Sequence, residues 1–117
     1  MENEEELIGY KVCLFDSNFL VLVSATFNKD IWYKFNVWVS KKFLCGPLAI
    51  FGNIEDSKEW VKKLGFPRHF KIIKCKYFKS KETYLYHKTY SIRMHIDDAP
   101  KGTILADKVM LLEEIKI

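Results

Sequence analysis

The stretch PLAIFGNIEDSKEWVKKLG, from Pro47 to Gly65, decides the fold class, because it reads as a buried strand running straight into a helix with both ends marked. Asn53 stands where an N-cap belongs, its side-chain oxygen able to accept from first-turn N–H groups, and Glu55 and Asp56 put negative charge at the positive end of the helix dipole. Lys62 and Lys63 do the converse at the other end, Gly65 supplies a left-handed C′ position, and Pro67 forbids continuation. Between the caps Ile54, Trp60, Val61 and Leu64 fall on one side at helical spacing, while Glu55, Lys58, Glu59, Lys62 and Lys63 fall mostly on the other. A helix of about three turns is marginal alone, so it requires a sheet to cover. Leu48–Phe51, apolar throughout, fits a strand covered on both faces.

The segments on either side of this unit alternate as strands do. From Ile8 onward, Tyr10, Val12 and Leu14 share one parity and Lys11, Cys13 and Phe15 the other. Asp16-Ser17-Asn18 punctuates, and Phe19 to Phe27 resumes as a second strand, which predicts a hairpin. After Asn28-Lys29-Asp30, Ile31 to Val39 reads as a third strand with Tyr33, Phe35, Val37 and Val39 towards the core and Trp32, Lys34, Asn36 and Trp38 on the opposite face. The pattern predicts a three-stranded antiparallel meander in the first third of the chain. Beyond Pro67, Ile73, Cys75 and Tyr77 alternate with Lys74 and Lys76; Tyr84 and Tyr86 follow a turn at Ser80-Lys81; and a short strand is expected around Ile92 to His95. Asp97 to Gly102 is a loop by composition. Thr103 to Ala106 and Val109 to Ile117 close the chain as strand, although Met110 to Glu114 would also suit a helical turn.

A chain of 117 residues that is 49% hydrophobic is expected to form one domain burying roughly two-thirds of its unfolded surface. Residues 1–7 read as an acidic arm, with Glu2, Glu4, Glu5 and Glu6, and residues 8–117 as the domain. Cys13, Cys45 and Cys75 lie far apart without a C-x-x-C pair, and no leader-like stretch precedes them. Reduced thiols in an intracellular setting are therefore expected, in the cytoplasm of a cell or host or in a virion. No apolar run approaches the roughly 20 residues of a membrane helix.

The order of features resembles small uncharacterised proteins encoded by large DNA viruses and some microbes. The residues that carry the resemblance are Tyr10-Lys11-Val12, Ser24-Ala25, Tyr33-Lys34 with Trp38, the Pro47–Phe51 strand feeding a capped helix, and the closing Gly102-Thr103-Ile104-Leu105-Ala106-Asp107-Lys108-Val109. The resemblance implies a viral protein of unknown role, such as a virion component, and assigns no site.

Motifs for chemistry are absent: there is no G-x-G-x-x-G, no Walker-type loop, no H-E-x-x-H and no G-x-S-x-G. His95 and Asp97 are two residues apart, a possible pair of metal ligands, but a metal site needs three or four ligands and an ordinary surface pair is the better reading. Cys75 between Lys74 and Lys76 would be activated if exposed, yet strand alternation puts those lysines on the other face and predicts a buried thiol. No catalytic residue, metal or cofactor is expected.

Two candidate surfaces remain. The segment from Lys62 to Arg93 holds ten Lys and Arg against one acid, Glu82, and interleaves them with aromatics. Arg68, Lys71, Lys74, Lys76, Lys88 and Arg93 with Tyr84 and Tyr86 form a candidate nucleic-acid surface, since phosphates attract such a surplus and open aromatics stack on unpaired bases. The same pattern suits lysines on the solvated face of a sheet whose aromatics belong to the core. Trp32 and Trp38 are the candidate protein interface, because aromatic patches are favoured at interface centres. The sequence thus predicts an α+β fold: a curved, mainly antiparallel sheet or partly closed barrel of about six or seven strands with one helix over about 53–64. It favours a non-enzymatic interaction or structural protein, viral or virion-associated, with a protein partner or a second copy of itself. Nucleic-acid binding is the alternative.

Overall fold

The computed structural model of the protein describes residues 5–16, 21–24, 32–41, 46–65, 70–87 and 92–116. In chain order they form β1 (Leu7–Asp16), β2 (Val21–Ser24), β3 (Trp32–Tyr33), β4 (Trp38–Ser40), β5 (Leu48–Phe51), α1 (Ile54–Lys63), β6 (Phe70–Lys79), β7 (Tyr84–His87), β8 (Ile92–His95) and β9 (Thr103–Ile115). Every pairing between named strands is antiparallel, so the fold is α+β, as the sequence predicts.

Three long strands make the frame. β6 pairs with β1 from Leu7↔Tyr77 to Leu14↔Phe70 and, on its other edge, with β9 from Ile72↔Ile115 to Lys79↔Ala106. Irregularities between Lys74 and Cys75 and between Phe78 and Lys79 bend this ladder. β5 lies against the start of β9 (Leu48↔Ala106 to Phe51↔Thr103) and meets β1 at one position, Tyr10↔Phe51. A ring of hydrogen bonds therefore runs β1–β6–β9–β5 and back, without making a regular barrel. β2 continues the β1 edge and β3 follows β2, which is the expected meander; β4 continues the β9 edge after β5. β7 and β8 form a separate hairpin.

Curling the frame gives it two apolar sides. On the inside lie Cys13, Tyr33, Leu48, Ile50, Ile73, Cys75, Tyr77, Val109 and Leu111; on the outside, at one end, Val12, Phe51 and Ile72 pack under Val61 of α1. Alternating residues of β1 and β6 are thus buried in both directions. The hairpin inserts Leu85 between Ala49 and Leu105 as a third small cluster.

The helix has the ends that its sequence predicts. Asn53 Oδ1 accepts from the Asp56 N–H at 2.9 Å, Glu55 and Asp56 occupy the first turn, Lys62 and Lys63 the last, and Gly65 follows at φ +77°. Ser57, buried beside Val61, satisfies its hydroxyl by donating to the Ile54 carbonyl at 2.7 Å.

The expected strand over 31–39 is corrected. It is two short strands, β3 and β4, separated by a turn in which Asn36 adopts φ +62°. Tyr33 is core, as predicted, but Phe35 and Val37 are exposed, and Trp32 and Trp38 belong to different strands. Asn36 tolerates the left-handed conformation better than the neighbouring aromatic and β-branched residues would, and its N–H is taken up by the Leu111 carbonyl at 2.8 Å. β9 settles the other open point: Met110 to Glu114 are strand, not helical turn.

Candidate functional site

The basic residues singled out in the sequence that fall among the described residues do not converge on one surface. Lys71, Lys74 and Lys76 lie on β6, and each has an acidic neighbour: Lys71 Nζ is 3.6 Å from Glu114, Lys76 Nζ is 3.5 Å from Glu6, and Lys74 stands opposite Glu113 in the β6–β9 register. β6 is flanked by β1 and β9, so the adjacency of Lys74 and Lys76 to Tyr84 and Tyr86 that a neighbouring strand would give is not formed. The hairpin instead docks on β5 and β9 through Leu85.

Tyr84, Tyr86 and Arg93 do come together. Opposite pairing of Tyr84 with His95 and of Tyr86 with Arg93 gathers all four on the side of the hairpin away from Leu85. The Arg93 guanidinium lies 3.9 Å from the Tyr84 ring centre, and His95 meets the same ring edge-on at 4.8 Å. Tyr86 donates to Glu82 at 3.2 Å, and Glu82 with Asp107 holds Lys41 at 2.9 and 3.1 Å. The carboxylates beside Lys41, Glu82 foremost, raise its pKa. Arg68 and Lys88 lie outside the described residues, as does Cys45.

His95 and Asp97 are close, but the imidazole Nδ1 accepts from the Asp97 N–H at 3.1 Å and so caps the short 3-10 turn at 96–98. Among the described residues no group of three or more His, Cys, Asp and Glu is arranged to hold a metal. No helix among them is long and apolar enough to cross a membrane.

A polar site that alternation does not reveal is inside the ring. Lys11 is fully buried; its ammonium donates to the Ala49 carbonyl at 2.7 Å and lies 5.7 Å from the Tyr33 ring centre. Cys13 is two residues along β1, and Cys75 is diagonally across on β6, opposite Gly9. Burial pulls Lys11 down to about 8 and pushes Cys13 and Cys75 up to about 12. The thiols are therefore protonated near neutral pH and poor nucleophiles, and Cys75 is buried as its parity predicts. Lys11 acts in the architecture: its bond to Ala49 adds a second tie between β1 and β5, where the backbones pair at only one position.

Trp32 and Trp38, offered by the sequence as one interface, sit on separate edges. Trp38 is partly buried and stacks on Phe78 at 5.2 Å. Trp32 is 50% exposed, and with Phe35 at 43% and Val37 at 49% it makes residues 32–37 the most apolar exposed stretch among the described residues. β3 and β4 are also the two ends of the strand order. Phe35 and Val37 were hidden to sequence reasoning because an unbroken strand would have turned both inward.

No protein-family model matches the chain, and neither a curated protein nor a solved structure matches it.

Proposed function

We propose that this protein is a small non-enzymatic interaction protein that associates with a second copy of itself through the segment 32–40, which runs between the two strands that end the strand order. The observation that carries the reading is the exposure of three large apolar side chains within six residues: Trp32 at 50%, Phe35 at 43% and Val37 at 49%. Scattered apolar side chains on a surface are ordinary, whereas a cluster beside a strand that ends the sheet, here β4, offers hydrophobic burial and an edge for backbone pairing at the same place. A two-fold axis pairs such an edge with itself, which needs no other partner chemistry.

Sedimentation velocity from low to high micromolar protein tests this. A monomer–dimer equilibrium is expected, abolished by Trp32→Ser with Phe35→Ser, with a far-ultraviolet circular dichroism spectrum like that of the unsubstituted protein showing that the double variant is folded. A monomer throughout, or a dimer indifferent to the two substitutions, overturns the reading.

A further inference from the structure

The helix covers only one end of the outer face of the frame, and at the other end Trp38 of β4 and Phe78 of β6 stand among lysines. Strand register places Trp38, Met110, Lys76 and Ile8 in one row across β4, β9, β6 and β1, with Ser40, Lys108 and Phe78 in the next. Residues of the opposite parity, such as Val39, Val109, Leu111, Cys75 and Tyr77, belong to the interior. Trp38 and Phe78 reach across β9 to stack at 5.2 Å with planes 29° apart, and Lys108 Nζ lies 6.0 Å from the Phe78 ring centre. Both rings are only partly buried. Lys76 and Lys108 are diagonal neighbours on paired strands, about 7 to 8 Å apart at the backbone. Lys74 follows Lys76 on the same face.

We infer that this face, centred on Trp38 and Phe78, is a binding site for an unpaired nucleic-acid strand. Charged residues are depleted at the centres of protein interfaces, yet here two lysines flank the aromatic pair directly. Aromatic rings set among cations on an open sheet match a strand whose bases stack while its phosphates meet ammonium groups. Among the described residues the carboxylates on the face are Glu113, opposite Lys74, and Glu6, 3.5 Å from Lys76 and half exposed. Glu6 stands where a phosphate would sit and so competes with the strand for Lys76. Trp38 belongs to β4 within the 32–40 segment, so nucleic-acid strand binding and self-association share that residue, while Trp32 and Phe35 serve self-association alone.

The test is fluorescence anisotropy of a labelled oligothymidylate and of a labelled duplex hairpin, titrated with the full chain across salt concentrations. The oligothymidylate is expected to bind more tightly than the duplex. Trp38→Leu should weaken binding roughly tenfold. Lys76→Gln with Lys108→Gln should lower the slope of log affinity against log salt by about 1.4, and Glu6→Gln should tighten binding by roughly twofold to fivefold. The lysine and glutamate variants alter only partly exposed side chains, so they decide the matter even if Trp38→Leu loosens the fold. Absence of binding at low salt, preference for the duplex, or binding unchanged in the lysine variant overturns the inference; in the last case Tyr84→Ser with Arg93→Gln identifies the hairpin as the contact.

Discussion

Lys11 shows how a single residue escapes a reading based on alternation. On an ordinary half-buried strand a lysine marks the solvent side, and Lys11 shares parity with Cys13 and Phe15, opposite the more apolar Tyr10, Val12 and Leu14. Both sides of β1 are nevertheless packed, because the ring closes on one and α1 covers part of the other. The consequence is a pH signature. A lysine whose pKa falls on folding destabilises the native state below its folded value of about 8, and the penalty is relieved as pH rises towards 10.5. The two thiols act in reverse: raised from 9.0 to about 12, they withdraw stability as pH rises past 9.0. Together they place this cluster's best pH near 9. Urea unfolding of Lys11→Met beside the unsubstituted protein isolates the lysine: the variant's stability relative to wild type should drop by on the order of 1 kcal/mol between pH 7 and pH 9. A difference independent of pH would mean that Lys11 keeps its ordinary pKa.

Among the elements, those with marked ends were legible and those held only by tertiary contacts were not. α1 could be delimited because Asn53, the charged turns and Gly65 are local signals that packing does not override. Replacing Asn53 with Ala should cost about 1 kcal/mol in thermal or urea unfolding, while Asn53→Asp should be nearly neutral. The segment 31–39 alternates as well as any strand in the chain, but its break at Asn36 follows from β3 joining β2 while β4 joins β9, and strand order is not written in a local pattern. The closeness of β5 to β1 has a local mark that was easy to pass over, namely Gly9. A Cβ at Gly9 would stand 2.9 Å from the Phe51 carbonyl oxygen and 2.6 Å from Ile50 Cδ1. Gly9→Ala should therefore destabilise the protein by about 1 to 3 kcal/mol, measured by urea unfolding, because the ring must open to admit the methyl group. No loss of stability would show that β5 yields easily at this point.

For the molecule as a whole, the curved antiparallel sheet with one helix was legible from period and punctuation, and the distribution of charge and apolar exposure over its surface was not. The surplus of Lys and Arg between Lys62 and Arg93 is contiguous in sequence, but in space β6 carries its lysines beside Glu6, Glu113 and Glu114 while Arg93 stacks on Tyr84 in the hairpin. A stretch of one charge is thus dispersed by the fold and partly neutralised by strands from the two ends of the chain. What the fold concentrates is apolar exposure at 32–37, next to edges that end the strand order. The most direct measurement of the proposed self-association is amide hydrogen exchange over residues 32–40 in dilute and concentrated solution. Edge pairing predicts that these amides exchange more slowly in the concentrated sample, and that Trp32→Ser with Phe35→Ser removes the difference. Exchange at 32–40 that is the same at both concentrations would contradict the account.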